Sequence, residues 1–149
     1  MNKQERIQII QTIRKRIKPV RMVSACFAAI GFLILFLTDQ PVWSIFLIVF
    51  ALILFGISSR KECLEICRIT NMKQAKRWIQ LRYVANFVLV CIAMTLLAIP
   101  HVADVSDLHI FYWYLASSVI IIMTVVVETN LDHRVRQADP EQPLSNEYR

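Results

Sequence analysis

Residues 42–59 read VWSIFLIVFALILFGISS, 18 positions without an Asp, Glu, Lys or Arg. The run is built round Ile45-Phe46-Leu47-Ile48-Val49-Phe50, with no alternation of apolar and polar positions. A helix needs about 20 apolar residues to cross the hydrocarbon of a bilayer, with a lower limit near 17. A strand of a membrane barrel would alternate with period two, and this stretch does not. Backbone groups in lipid must be satisfied within their own segment, so the run is predicted to be a transmembrane α-helix.

Three more stretches share this character. Residues 22–38 are 17 uncharged positions between Arg21 and Asp39, and 108–127 are 20 before Glu128. Residues 83–103 also lack Asp, Glu, Lys and Arg, with Pro100 expected to close the helical part. The predicted fold class is an all-α integral membrane protein, an up-down bundle of four spans at about 22–38, 42–59, 83–100 and 108–127. Composition agrees: 56% of the 149 residues are hydrophobic and 19% charged, against about 45–50% and 25% in soluble domains. Two glycines exclude a collagen-like chain or flexible linker, and the apolar content excludes wholesale disorder. The first run is longer than a signal-peptide core and ends in Leu37-Thr38-Asp39-Gln40-Pro41, without a small-x-small cleavage pattern, so it is read as an uncleaved span.

The basic residues give the orientation. Of the 17 Lys and Arg, seven precede the first run, seven lie in residues 60–82 and three follow Glu128. The two remaining loops, 39–41 and 100–107, have none. The positive-inside rule then places both termini and the 60–82 connection in the cytoplasm, and argues against dual topology. Aromatic residues fit as interface anchors: Trp43 and 111–114 (Phe-Tyr-Trp-Tyr) on the outer side, Trp78 and Tyr83 on the inner. The expected location is a plasma membrane, the inner membrane in a bacterium, whose anionic inner-leaflet lipids the basic flanks would meet.

Residues 1–21 form a basic amphipathic segment with an apolar stripe of Ile7, Ile10, Ile13, Ile17 and Val20. Such a helix can lie in the headgroup layer, and Pro19 is expected to end it before the first span. Topology accounts for its basic residues, and no nucleic-acid reading motif accompanies them. Residues 60–82 contain no Gly or Pro. A helical hairpin is predicted there, with the second helix running to about Ile69 and the third starting near Met72, capped by Asn71 with Gln74 as in a capping box. Each helix would be about 28 residues, or roughly 42 Å, projecting some 15 Å into the cytoplasm. Leu64, Ile66, Ile69, Met72, Ala75 and Ile79 are the residues that would close it; a solvated basic loop is the alternative. Residues 22–137 thus form the membrane domain. The fourth helix should reach about Gln137 before Pro140 and Pro143, and 138–149 reads as a disordered tail.

No chemistry-bearing constellation stands out. Cys63 and Cys67 share a helical face but lack the companions of a zinc site, and no outer-side cysteine provides for a disulfide. Their expected role is packing. His101, Asp104, Asp107 and Asp39 read as a solvated outer loop capping the fourth span through Asp104 or Ser106, with weak cation binding as the alternative. Away from their ends the spans hold no Asp, Glu, Lys, Arg or His. Proton-coupled transporters, voltage sensors and membrane hydrolases need such groups at depth.

The polar residues that remain in the spans are sparse. Ser24, Asn86, Thr95, Ser117, Ser118 and Thr124, with small residues such as Ala28, are candidates for helix packing or for lining a path. The second span, bulky all round, is expected to face lipid more than the others. Arg60, Lys61, Arg68, Lys73, Lys76 and Arg77 are candidate cytoplasmic contacts. Two function classes follow. The first is a non-enzymatic membrane protein acting by helix or hairpin contacts (accessory subunit, assembly factor, regulator or immunity-type protein), without a cofactor or metal. The second is a small homo-oligomeric channel or carrier for a small solute.

Overall fold

The computed structural model describes residues 2–38, 41–102, 107–144 and 147. Among them are four helices and no strand: α1 (Lys3–Leu37), α2 (Pro41–Ile69), α3 (Lys73–Val102) and α4 (Asp107–Ala138). All four are long and apolar enough to cross a membrane, compatible with a transmembrane helical bundle. At 1.5 Å per residue they measure between about 43 and 52 Å, more than the roughly 30 Å of a hydrocarbon core. Each therefore carries one or more turns beyond its apolar run. Packing is closest within two hairpins, α1–α2 and α3–α4, which meet across a looser seam, mainly through α2 and α3.

The α1–α2 contact explains the longest helix. Ile10, Ile17, Ser24 and Gly31 are buried at intervals of seven, joined by Ile13, Ala28 and Leu35. That is the spacing of a helix wound along a neighbour. Ser44, Ala51 and Ser58 repeat at sevens on α2 and are buried too. Small residues at the contact let the backbones approach. A Cβ added at Gly31 would stand 2.9 Å from Ile48 Cγ1 and 3.1 Å from the Ser44 carbonyl oxygen.

This stripe corrects two expectations. Pro19 does not end a separate segment: α1 runs through it. The missing N–H and the ring cost about 3 kcal/mol in a helix interior. Here the buried stripe continues on both sides of Pro19, which is itself exposed. Nor is α2 the most lipid-facing helix by its packing. Its apolar window has the largest buried share, 28%, whereas that of α4 has 6%. The small residues at every seventh position were hidden among the bulky ones.

The N-terminal third of α1 does not stand apart as an isolated amphipathic helix. Ile10 joins Cys63, Ile66, Cys67, Ile79 and Val135 in one buried cluster, with Ile7, Ile69, Trp78 and Tyr83 packed against it. All four helices contribute to this core, and it lies in their charged ends rather than in the apolar runs. The reason is the solvent each part is suited to. Apolar area removed from water contributes about 25 cal/mol per Å², whereas apolar helices in hydrocarbon gain nothing by hiding from lipid.

The 60–82 connection is a helical hairpin and not a loop: α2 ends at Ile69 and α3 starts at Lys73. Ile66, Ala75 and Ile79 are buried in it, while Leu64 and Met72 stay exposed. The first helical hydrogen bond, Lys76 N–H to the Met72 carbonyl, puts Met72 rather than Asn71 at the cap position. Pro100 does not close α3, which continues to Val102. Only two residues follow it, so little helix depends on the lost bond. His101 is held by Tyr114 Oη at 2.9 Å from its Nε2 and by the Phe36 ring at 4.4 Å. Asp39, Asp104 and Ser106 lie outside the described residues, as does the side chain of Asp107.

The described part of the C-terminal segment is folded rather than disordered. After Ala138 the chain turns: Asp139 N–H bonds the Val135 carbonyl and Gln142 N–H bonds the Asp139 carbonyl. Asp139 and Gln142 are buried. Their partners, distant in sequence, are what the composition of the tail does not reveal.

Candidate functional site

The charged ends of the four helices enclose a polar centre. Glu62, on α2, has no exposed surface. It accepts a 2.9 Å hydrogen bond from Arg14 Nε and forms an ion pair with Arg21, both on α1. Helical spacing places Arg14 and Arg21 two turns apart on one face of α1, and Arg21 also lies over the Phe55 ring, 5.9 Å from its centroid. In the second hairpin Arg82 of α3 pairs with Asp132 of α4, both buried. Arg82 also sits 5.1 Å over the Tyr83 ring. Each ion pair therefore ties the two helices of one hairpin together.

Between them lies a cavity of about 230 Å³ lined by Arg14, Arg21, Arg82, Tyr83, Asn86 and Glu128. Asn86, the one amide singled out in the spans, thus opens onto charged neighbours. Arg14, Arg21 and Arg82 are matched in number by Glu62, Asp132 and Glu128, so the centre carries no surplus charge. Buried charges are tolerated when paired and hydrogen-bonded. The arrangement can orient hairpins and accept a small polar molecule.

A second polar group fastens the seam. Arg6 of α1 donates from Nη1 to Asp139 Oδ2 at 2.8 Å and to Gln142 Oε1 at 3.3 Å. The Thr70 hydroxyl lies 3.0 Å from Gln142 Oε1. Lys3 Nζ reaches Glu147 Oε1 at 2.8 Å. The segment after α4 so binds the start of α1 and the end of α2. Glu147 is held below the usual carboxylate range, chiefly by the hydrogen bond from Lys3.

Cys63 and Cys67 belong to the buried core. Cys67 is lowered to about 7, mainly by a hydrogen bond from the Cys63 thiol, against desolvation and with help from Lys76 and Arg82. Cys63, the donor, is pushed up. Both are buried, which shields them from reagents. Among the described residues no three His, Cys, Asp or Glu stand together as a metal set.

The other candidates do not converge. Ser24 Oγ donates to the Ala51 carbonyl at 2.8 Å across the α1–α2 contact, and Ala28 is buried beside it. Ser117 is buried but bonds its own helix at the Trp113 carbonyl. Thr95 and Ser118 are exposed and bond the carbonyls of Cys91 and Tyr114. Thr124 does the same at Ile120.

The basic candidates lie on the outside. Arg60, Lys61, Arg68, Lys73 and Arg77 are exposed, and Lys76 is half-buried. Lys15, Arg16 and Lys18 of α1 and Arg134 and Arg136 of α4 are exposed as well. Of the acids at this end, Glu62, Asp132 and Asp139 are buried and Glu65 and Glu128 partly so, while Glu5, Glu141 and Glu147 are exposed. Sequence reasoning missed Arg14, Arg21, Glu62, Arg82 and Asp132 as a centre because their pairing is long-range. The one available signal is an acid, Glu62, four residues before Ile66 on the face that carries the core.

Comparison with protein-family models, with curated proteins and with solved structures gives no significant match. What fold and site define is a class: an all-helical chain of four helices able to span a membrane, with a charged, well-packed end.

Proposed function

We propose that this chain is a non-enzymatic membrane protein of the plasma membrane, with both termini cytoplasmic, that acts by contact. The observation that carries this reading is the sorting of charge at the packed end. Its buried carboxylates, Glu62, Asp132 and Asp139, pair with arginines, while Arg60, Lys61, Arg68, Lys73 and Arg77 of the hairpin stay on the surface. The resulting face is basic, rigid and complementary to an acidic segment of a membrane-protein partner. An accessory subunit, assembly factor, regulator or immunity-type protein would use such a face. The polar centre, with matched charges, serves to hold the shape of that end.

The test is carbodiimide crosslinking in native membranes, which joins lysines to carboxylates, followed by mass spectrometry. Lys61 and Lys73 are expected to join acidic residues of one dominant partner. Reversing Arg60, Arg68 and Arg77 to Glu, with Lys61 and Lys73 kept, should abolish the crosslinks while the helix content stays unchanged. Crosslinks between copies of this chain alone would refute the proposal. They would favour a homo-oligomeric channel or carrier, for which the cavity at Asn86 is the supporting feature. Solute flux lost in Asn86→Leu with the fold intact would support that second reading.

A further inference from the structure

The seam between α2 and α3 opens outward as a groove of about 650 Å³. Its walls nearer the apolar runs are Ile53, Ile57, Val84 and Phe87. At Gly56 the helices approach closely: an added Cβ would meet the Phe87 ring at 3.1 Å. Toward the hairpin turn Ser59, Arg60 and Gln80 join the lining, beside Cys63, Leu64 and Tyr83. Arg60 is exposed, and among the described residues no carboxylate pairs with it.

We infer that this groove is a binding site for one anionic phospholipid of the inner leaflet. The inference rests on the chain spanning a membrane with its hairpin in the cytoplasm. From Ile53 to Leu64 the groove follows α2 for about 16 Å, of which about 9 Å, Ile53 to Ser59, lies along the uncharged run, within the roughly 15 Å of one leaflet's hydrocarbon. It straddles the point where uncharged sequence gives way to charged sequence, Ser59 and Arg60. An amphiphile with an apolar chain and an anionic head fits that gradient. The acyl chain lies on Ile53, Ile57, Val84 and Phe87. The phosphate accepts from the Arg60 guanidinium, whose planar fork matches it, and Gln80 supplies a second donor. A neutral zwitterionic lipid would fill the walls equally well but gain less at Arg60, because its headgroup carries a competing cation. The basic residues nearby, Lys61 and Lys76, add to the attraction.

Native mass spectrometry of the detergent-purified full chain, with phosphatidylglycerol or phosphatidylcholine added, tests this. One phosphatidylglycerol should be retained at about tenfold higher affinity than phosphatidylcholine, the scale of one charge-assisted contact. Arg60→Gln should remove that preference. Val84→Trp should block the groove and reduce retention of both lipids. Val84 is exposed, so the larger side chain does not disturb a core. Ile122→Trp, an equally exposed change on α4, should leave retention unaltered. Equal retention of the two lipids by the unchanged chain would overturn the inference. So would a preference that survives both Arg60→Gln and Val84→Trp. Competition of phosphatidylglycerol by millimolar inorganic phosphate would also overturn it, since the site would then recognise free phosphate rather than a lipid. Failure of the partner crosslinks with the lipid preference intact would remove the contact reading and leave this site standing.

Discussion

Replacing Glu62 by Ala removes the carboxylate that Arg14 and Arg21 share. Breaking a fully buried pair by deleting one partner costs about 3–5 kcal/mol, because the remaining charge is stranded. The two arginines are not fully buried: their side chains are 26% and 32% exposed. They can recover part of their hydration, so a loss of about 2 kcal/mol is expected, roughly 30-fold in the unfolding equilibrium. The reverse deletion is harsher. Arg14→Met with Arg21→Met leaves a carboxylate with no exposed surface, for which the full range of about 3–5 kcal/mol applies. Glu62→Gln keeps an acceptor for Arg14 and should fall near 1 kcal/mol. Unfolding in detergent micelles, followed by Trp78 fluorescence and circular dichroism, would measure the series. Trp78 suits this because it packs against the shared core and under Arg134, 4.8 Å from its ring. The order, double arginine change worst and Gln mildest, is the diagnostic. If Glu62→Ala cost less than about 0.5 kcal/mol, the level of a surface substitution, the centre would be solvated and the reasoning refuted.

Ile66 is fully buried in the core of the charged end, so Ile66→Ala should cost about 3–4 kcal/mol in the same assay. Ile122→Ala, on the exposed face of α4, should change little. Gly31→Ala places a methyl against Ile48 and the Ser44 backbone; a loss of about 1–3 kcal/mol is expected, with α1 and α2 pushed apart in a spin-label distance measurement. The Glu147 carboxyl titrates below the usual range, so its link to Lys3 is present above the unfolded-state value and lost as pH falls through the folded one. NMR titration of Glu147 should show its midpoint rising in Lys3→Met, and an unchanged midpoint would remove the link.

Much of this architecture is written in the order of residues. Four uncharged runs such as 42–59 are long enough to span hydrocarbon, and lipid leaves the backbone no alternative to a helix. The absence of Gly and Pro from 60–82 allows a helical hairpin there, but the charges allow a solvated loop as well, and only the packing of Ile66, Ala75 and Ile79 decides between them. The places where reading failed share one cause. Pro19 and Pro100 look like stops when local propensity is considered alone, yet buried contacts on both sides carry α1 through Pro19, and only two residues of α3 follow Pro100. The span at 42–59 looked uniformly bulky because Ser44, Ala51 and Ser58 matter only once a neighbour with Ser24 and Gly31 lies against them. The tail looked disordered because Arg6 and Thr70, which bury Asp139 and Gln142, are more than 70 residues away.

That the chain is helical, how many helices can span a membrane, and which ends carry the charge are all legible in the order of residues. These follow from local quantities: run length, hydropathy and the hydrogen bonding of one segment. Tertiary packing selects which charges of the charged end are internal, Glu62, Asp132 and Asp139 with Arg6, Arg14, Arg21 and Arg82, and which stay on the surface. It also places a polar centre between the hairpins, and a core shared by all four helices at their charged ends. The physical reason is that pairing and burial depend on which distant residues share a face. A chain alternating between hydrocarbon-like and water-like segments leaves that choice to packing.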